Sequence, residues 1–200
     1  MRFASMRALD ISNGENIGVS LFVQGCPFHC YNCFNPDTWN FNGGKEWTEE
    51  TKKQFLKLID RPYIKRVSLL GGECLAEQNL DDVLSLIKEI RISFPEKTIW
   101  LYTGYKIFID YPESHRQHKC IISTKPNALT NIIYDNNLFL KKKNEDKKRR
   151  EIISLCNVVV DGEYIDEQRN LSKKWAGSDN QRVIDVTQSL AQGKVVLYCD

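Results

Sequence analysis

The chain has 200 residues, 42% hydrophobic and 27% charged, with a formal net charge of +2. That is the composition of an ordinary soluble globular protein, and the length suits one domain with a single core. No run reaches the ~18 consecutive apolar residues of a membrane span, and the opening "MRFASMRALD" lacks the apolar stretch of a signal peptide, so the expected location is the cytoplasm.

In chain order, "GVSLFVQG" (18–25) reads as a first strand, ending just before a cluster of cysteines. "TEETKKQFLKLI" (48–59) reads as a helix with a narrow apolar face, and "KRVSLLGGE" (65–73) as a short apolar strand running into paired glycines. Leu80, Val83, Leu84, Ile87 and Ile90 then recur at helical spacing, with Asn79 or Asp81 as the expected cap. "TIWLYTG" (98–104) is a third strand, "NVVVDG" (157–162) a fourth and "KVVLY" (194–198) a fifth. Residues 111–150 are polar, weakly periodic and far longer than the ordinary ~2–6-residue α/β connection. They read as an insertion within a single domain spanning 1–200, with a helix or hairpin over 127–142.

Short apolar strands separated by amphipathic helices argue for a parallel sheet with helical crossovers. The cysteines, Gly71-Gly72-Glu73, Thr103-Gly104 and Asp161-Gly162 each fall just past a strand's C-terminal end. That is the edge where such sheets and barrels build their sites.

Residues 141–151, "KKKNEDKKRRE", carry seven basic and three acidic side chains. A solvated surface segment accounts for such a run, and no other feature points to nucleic acid. "HRQHKC" (115–120) lies in polar sequence with too few ligands for a metal.

Of seven cysteines, three stand within eight positions, as Cys26-x3-Cys30-x2-Cys33. In a reducing compartment such clustering points to metal or redox chemistry rather than disulfides. Cys156 and Cys199 adjoin apolar runs and are expected to pack as small hydrophobes. A structural zinc wants four ligands; a zinc site here would need His29, Cys74 or Cys120 to complete it. A four-iron cluster on three thiolates keeps one iron open for an outside ligand.

The spacing CxxxCxxC resembles the signature of the radical S-adenosylmethionine (SAM) superfamily. The resemblance implies an incomplete (β/α) barrel and a [4Fe–4S] cluster on Cys26, Cys30 and Cys33, with SAM chelating the open iron. Reductive cleavage of SAM would then yield a 5′-deoxyadenosyl radical. It also implies SAM contacts from Asn32, Cys33 and Phe34 and from Gly71, Gly72 and Glu73, with no catalytic residues beyond these. Glycine lets backbone approach a ligand closely.

Five ordered segments, "GCPFHCYNCFNPDTW", "LLGGECLAEQN", "IWLYTGYK", "VVVDGEY" and "KKWAGSDNQRVI", narrow the likeness. Together they resemble the activating-protein family of the anaerobic (class III) ribonucleoside-triphosphate reductases. That family pairs its cysteines with an Asn…Thr-Trp tail, here Asn35, Thr38 and Trp39. It also carries a Trp-x-Gly-Ser-x-Asn-Gln segment, here Trp175, Gly177, Ser178, Asn180 and Gln181. The likeness implies formation of a glycyl radical on the reductase large subunit, with a flavodoxin-like electron donor.

Departures are Cys74, where relatives usually have proline, "NGEN" (13–16) for Asn-Gly-Pro-Gly, the length of 111–150, and the tail after Val186. The rival readings are a small-molecule radical SAM enzyme resembling deazapurine synthases and a non-enzymatic zinc-binding interaction module.

Overall fold

The computed structural model describes residues 1–110, 119–123 and 136–199. The chain opens with β1 (Arg2–Asp10), β2 (Gly18–Val23), β3 (Lys45–Glu46), α1 (Glu49–Ile59) and β4 (Arg66–Gly71). It continues through α2 (Leu80–Ser93), β5 (Thr98–Thr103), a hairpin of β6 (Lys106–Asp110) and β7 (Lys119–Ser123), and α3 (Asn136–Ser154). β8 (Val158–Asp161), β9 (Arg182–Asp185) and α4 (Val186–Gln192) complete it.

Seven strands form one mixed sheet in the order β3-β1-β2-β4-β5-β8-β9. The central four, β2-β4-β5-β8, are parallel; β1 and β9 flank them in the antiparallel sense, and β3 pairs antiparallel with β1. The expected strands at 18–25, 65–73, 98–104 and 157–162 are these four. The expected fifth, 194–198, is not a strand: it touches β9 through an isolated bridge between Ile184 and Leu197.

Side-chain alternation along the strands separates two environments. Val67, Leu69, Ile99 and Leu101 face a core shared with Phe55 and Ile59 of α1, Ile87 and Ile90 of α2, Ile152 and Ile153 of α3, and Val186 of α4. Burial of each such side chain is worth ~1.5–3 kcal/mol. Trp100, Val158, Val160 and Val183 face the opposite way and meet Trp175 and Tyr198. The four helices pack on the same face, which leaves the other free to line a cavity.

Local signals account for both amphipathic helices. Thr48 caps α1 by accepting from the Thr51 N–H at 3.2 Å, as N-cap threonines do. On α2 the buried positions are Leu80, Val83, Leu86, Ile87 and Ile90, with Leu84 only half-buried. Asn79 stands at its N-terminus without capping it; its amide donates instead to the Gln24 and Glu73 carbonyls, at 3.0 and 2.9 Å.

The basic run 141–151 belongs to α3, not to a loop. There Arg149 is buried, its Nε donating to the Leu75 carbonyl at 3.0 Å and its guanidinium lying 5.5 Å from the Tyr105 ring centre. Lys148 and Glu151 pair with Asp81 and Lys88 of α2. His115, His118 and most of the expected element at 127–142 lie outside the described residues; 136–142 belong to α3.

Candidate functional site

The three cysteines occupy the loop after β2, at the C-terminal edge of the parallel strands. Backbone bonds clamp this loop at its start: the Gly25 N–H donates to the Thr38 carbonyl at 2.8 Å and the Cys26 N–H to the Trp39 carbonyl at 3.0 Å. Thr38 Oγ1 in turn donates to the Asn35 carbonyl at 2.7 Å. The Asn…Thr-Trp tail is thus the support of the loop. Left-handed backbone at His29 and Asn32 (φ 51° and 53°) turns the chain twice between the cysteines. His29 stacks on Trp39 with ring centres 4.8 Å apart.

The Gly71–Glu73 turn is stitched to the same loop. Gly72 N–H donates to the Val23 carbonyl at 2.9 Å and Glu73 N–H to the Gly25 carbonyl at 2.8 Å. A Cβ on Gly72 would sit 2.5 Å from the Gly25 carbonyl oxygen, so only glycine permits this approach.

Glu73 is 1% exposed. Its Oε1 accepts from the Leu75 N–H and Thr103 Oγ1, and its Oε2 from the Gly104 N–H, each at 2.8 Å. Burial pushes the carboxyl up to about 7, against hydrogen bonds from Leu75, Gly104 and Thr103 and the charge of Arg149. The carboxylate therefore braces the end of β4 against the end of β5. Glu73→Ala would leave two backbone N–H groups without their acceptor. The expected cost is about 2–3 kcal/mol, read as a lower denaturation midpoint in protein without any cofactor. An unchanged midpoint would show that the brace is dispensable.

Cys26, Cys30 and Cys33, with Phe34, Gly71, Gly72 and Glu73, line one cavity of about 570 Å³. Asn32 lies at the exposed rim, its amide donating to Asp166 at 3.0 Å. Burial pushes the Cys26 thiol up to about 12, with the Glu73 charge adding to it. Burial and then Glu163 push Cys30 up to about 11. A bound metal inverts that balance, because a coordinating thiol is deprotonated outright. Three half-buried free thiols on one short loop, facing one cavity, are a donor set that fits an iron–sulfur cluster. Among the described residues, no three His, Cys, Asp or Glu side chains converge on a single metal position.

The remaining motifs build the wall. Asp161 is buried and accepts from Arg182 Nε at 2.9 Å and the Ile107 N–H at 2.7 Å, so it ties β8 to β9 and β6. Gly162 lines the cavity. Gln181 Oε1 accepts from the Gly177 N–H at 2.8 Å while its Nε2 donates to the Gly162 carbonyl at 2.9 Å. Asn180 donates to the Glu163 carbonyl at 2.7 Å. A Cβ on Gly177 would sit 2.6 Å from the Phe34 ring, so this glycine lets the wall close against the cysteine loop. Trp175 lines the cavity and packs on Trp100, with ring centres 4.9 Å apart.

Sequence reading missed a polar network at the cavity's edge, where Ser12 and Asn13 line it. Asp10 and Arg66 are both buried, with Arg66 Nη2 3.2 Å from Asp10 Oδ1. Asp10 also accepts from the N–H groups of Ser12 and Asn13, each at 2.9 Å, and from Ser20 Oγ at 2.8 Å. Arg66 donates to the carbonyls of Glu15 and Asn13 and to Ser68 Oγ, so the "NGEN" turn wraps the guanidinium.

Residues 12–184 match the family model described as a 4Fe-4S single cluster domain. With the thiol-lined cavity, this defines the class as an iron–sulfur protein with one four-iron cluster domain. The anaerobic ribonucleoside-triphosphate reductase-activating protein of Enterobacteria phage T4 is 31% identical over 185 residues, covering 92% of this chain and 93% of its own. The protein of that name from Escherichia coli (strain K12) is also 31% identical over 185 residues, covering 92% and 97%. The one from Vibrio cholerae is 28% identical over 183 residues, covering 90% and 96%. The chain belongs to the family of anaerobic ribonucleoside-triphosphate reductase-activating proteins.

Proposed function

We propose that this protein is a radical SAM enzyme that generates a glycyl radical on an anaerobic ribonucleoside-triphosphate reductase. The observation that carries this reading is the meeting of three thiols and the Gly71–Glu73 turn at one open cavity. In it, Cys26, Cys30 and Cys33 hold a [4Fe–4S] cluster, and the four parallel strands are the core of an incomplete (β/α) barrel. When bound, cluster and SAM together supply reductive cleavage of the sulfonium and the means of removing a hydrogen atom from glycine.

The chain's own residues bind, orient and enclose. The Gly71–Gly72 backbone receives the amino-acid end of SAM, with Glu73 positioning that turn through its three hydrogen bonds. Asn32, Cys33 and Phe34 contribute from the cysteine loop, and the wall built by Gln181 and Asn180 keeps water from the reacting groups. The open mouth admits a glycine-bearing segment of the reductase large subunit, and a flavodoxin-like protein supplies the electron. Among the described residues no helix is long and apolar enough to cross a membrane, and the reading places the enzyme in the cytoplasm, acting on a protein and not on nucleic acid.

The test is anaerobic reconstitution followed by addition of SAM, reductant and the purified reductase. The expected result is methionine and 5′-deoxyadenosine, with the doublet of a glycyl radical in the electron paramagnetic resonance spectrum. Cleavage of SAM without any doublet would point to a small-molecule substrate instead.

A further inference from the structure

The cavity is layered. Gly71, Gly72, Thr103 and Gly162 line its top, beside the cysteine loop. Inside that layer lie Phe22, Leu70, Tyr102 and Val160, with Phe22 in register with Leu70 and Tyr102 with Val160. Beyond that layer Trp100 meets Tyr198 and Trp175, the last of which lines the cavity.

Three of the four middle side chains carry no polar atom. The fourth, Tyr102, carries a hydroxyl that is buried and has no hydrogen-bond partner among the described residues. Leaving a buried hydroxyl unpaired costs ~1–3 kcal/mol, a cost that phenylalanine would avoid at nearly the same volume. Burial pushes the phenol far above its ordinary range, so it keeps its proton and remains a donor. The charges nearest to it have partners of their own: Asp10 holds Ser12, Asn13, Ser20 and Arg66, and Arg66 holds Asp10, Ser68 and the 13–16 turn.

We propose that Tyr102 Oη donates to a main-chain carbonyl of the protein segment that enters the cavity, making Tyr102 a specificity-determining contact for the reductase. This rests on the reading that the substrate is a glycine-bearing segment. An apolar layer with one donor suits a residue that brings no side chain but always brings a carbonyl. The phenol that keeps its proton offers an O–H donor, and a main-chain carbonyl is the acceptor that every residue brings. Tyr102 lines the cavity one layer inside the proposed SAM contacts.

The test is Tyr102→Phe, compared with wild type in three measurements. The melting temperature of the cofactor-free protein should stay the same or rise, because a buried orphan hydroxyl has been removed. The equilibrium Kd for the reductase, and the reductase concentration giving half-maximal radical formation, should each rise about 3- to 10-fold, the worth of one neutral hydrogen bond. The Kd for SAM should change by much less than that for the reductase. A melting temperature several degrees lower would make the hydroxyl structural and overturn the proposal. A larger change in SAM affinity than in reductase affinity would assign the hydroxyl to the cofactor, and no change in either would leave it no ligand; both outcomes also overturn it. A wild-type protein that cleaves no SAM would instead defeat the reading beneath the proposal, and that failure is visible before any substitution is made.

Discussion

Alanine at Cys26, Cys30 or Cys33 is expected to abolish the iron–sulfur cluster, whereas Cys74→Ala should retain it. The three loop thiols are half-buried and line the cavity, but Cys74 is fully buried in the apolar core that the helices cover. Each thiolate lost from a three-thiolate set leaves a second iron without a protein ligand. The variants should show iron and sulfide contents near zero after reconstitution and no brown colour. Cys74→Ala should cost about 1 kcal/mol of stability, the scale of a small core truncation, and keep its full iron. Cluster loss in the Cys74 variant alone would show that a fourth cysteine ligates.

The second large effect lies at the opposite end of the sheet. Asp10→Asn should destabilise the protein by about 3–5 kcal/mol, because it strands the Arg66 charge in the interior. In urea the unfolding midpoint should fall by more than about 1 M. Burial raises the Asp10 carboxyl, but hydrogen bonds from Asn13, Ser20 and Ser12 outweigh it and bring the group down to about 2. A depressed carboxyl stabilises the fold above its unfolded value of 3.8, and that contribution disappears as pH falls through about 2. The stability gap between wild type and Asp10→Asn should therefore be constant above pH ~4 and narrow between pH ~4 and ~2. A gap independent of acid would show that the carboxylate charge is not what holds the turn.

How far these features could be read in the sequence depended on whether they were local. β2, β4, β5 and β8 are continuous apolar runs, and α1 and α2 repeat their apolar residues at helical spacing, so each declared itself within its own segment. β1 did not, because seven of its nine residues are half-buried or exposed in no regular alternation and its pairing with β2 slips twice. Residues 194–198 are as apolar as a true strand, yet their partner β9 offers only scattered bonds. The basic run looked too charged to pack, but the stem of Arg149 is buried while Lys148 pairs outward.

The site divides along the same line. The cysteine spacing and the paired glycines are local patterns with a chemical meaning. Glu73 was readable as a carboxylate near the cofactor, but its use as a brace depends on Thr103 and Gly104, about thirty positions away in sequence. The Asp10–Arg66 pair joins residues 56 positions apart, and no signal along the chain connects them. The role of the Trp-x-Gly-Ser-x-Asn-Gln segment likewise depends on non-local bonds, with Gln181 and Asn180 tying it to residues 162 and 163.

The last residues of the chain determine how this sheet can meet another protein. Val196 accepts from the Asp185 N–H at 3.0 Å and Tyr198 donates to the Val183 carbonyl at 2.8 Å, so the tail lies along the outer side of β9. Tyr198 Oη also reaches Glu15, fastening the tail across the base of the sheet. At the other margin β3 has only two residues, Lys45 and Glu46, both exposed and charged. An unpaired strand margin is a template on which any extended chain can assemble. Here one margin is sheathed and the other is too short and too charged to serve, so extension of the sheet by a visiting strand is disfavoured at both.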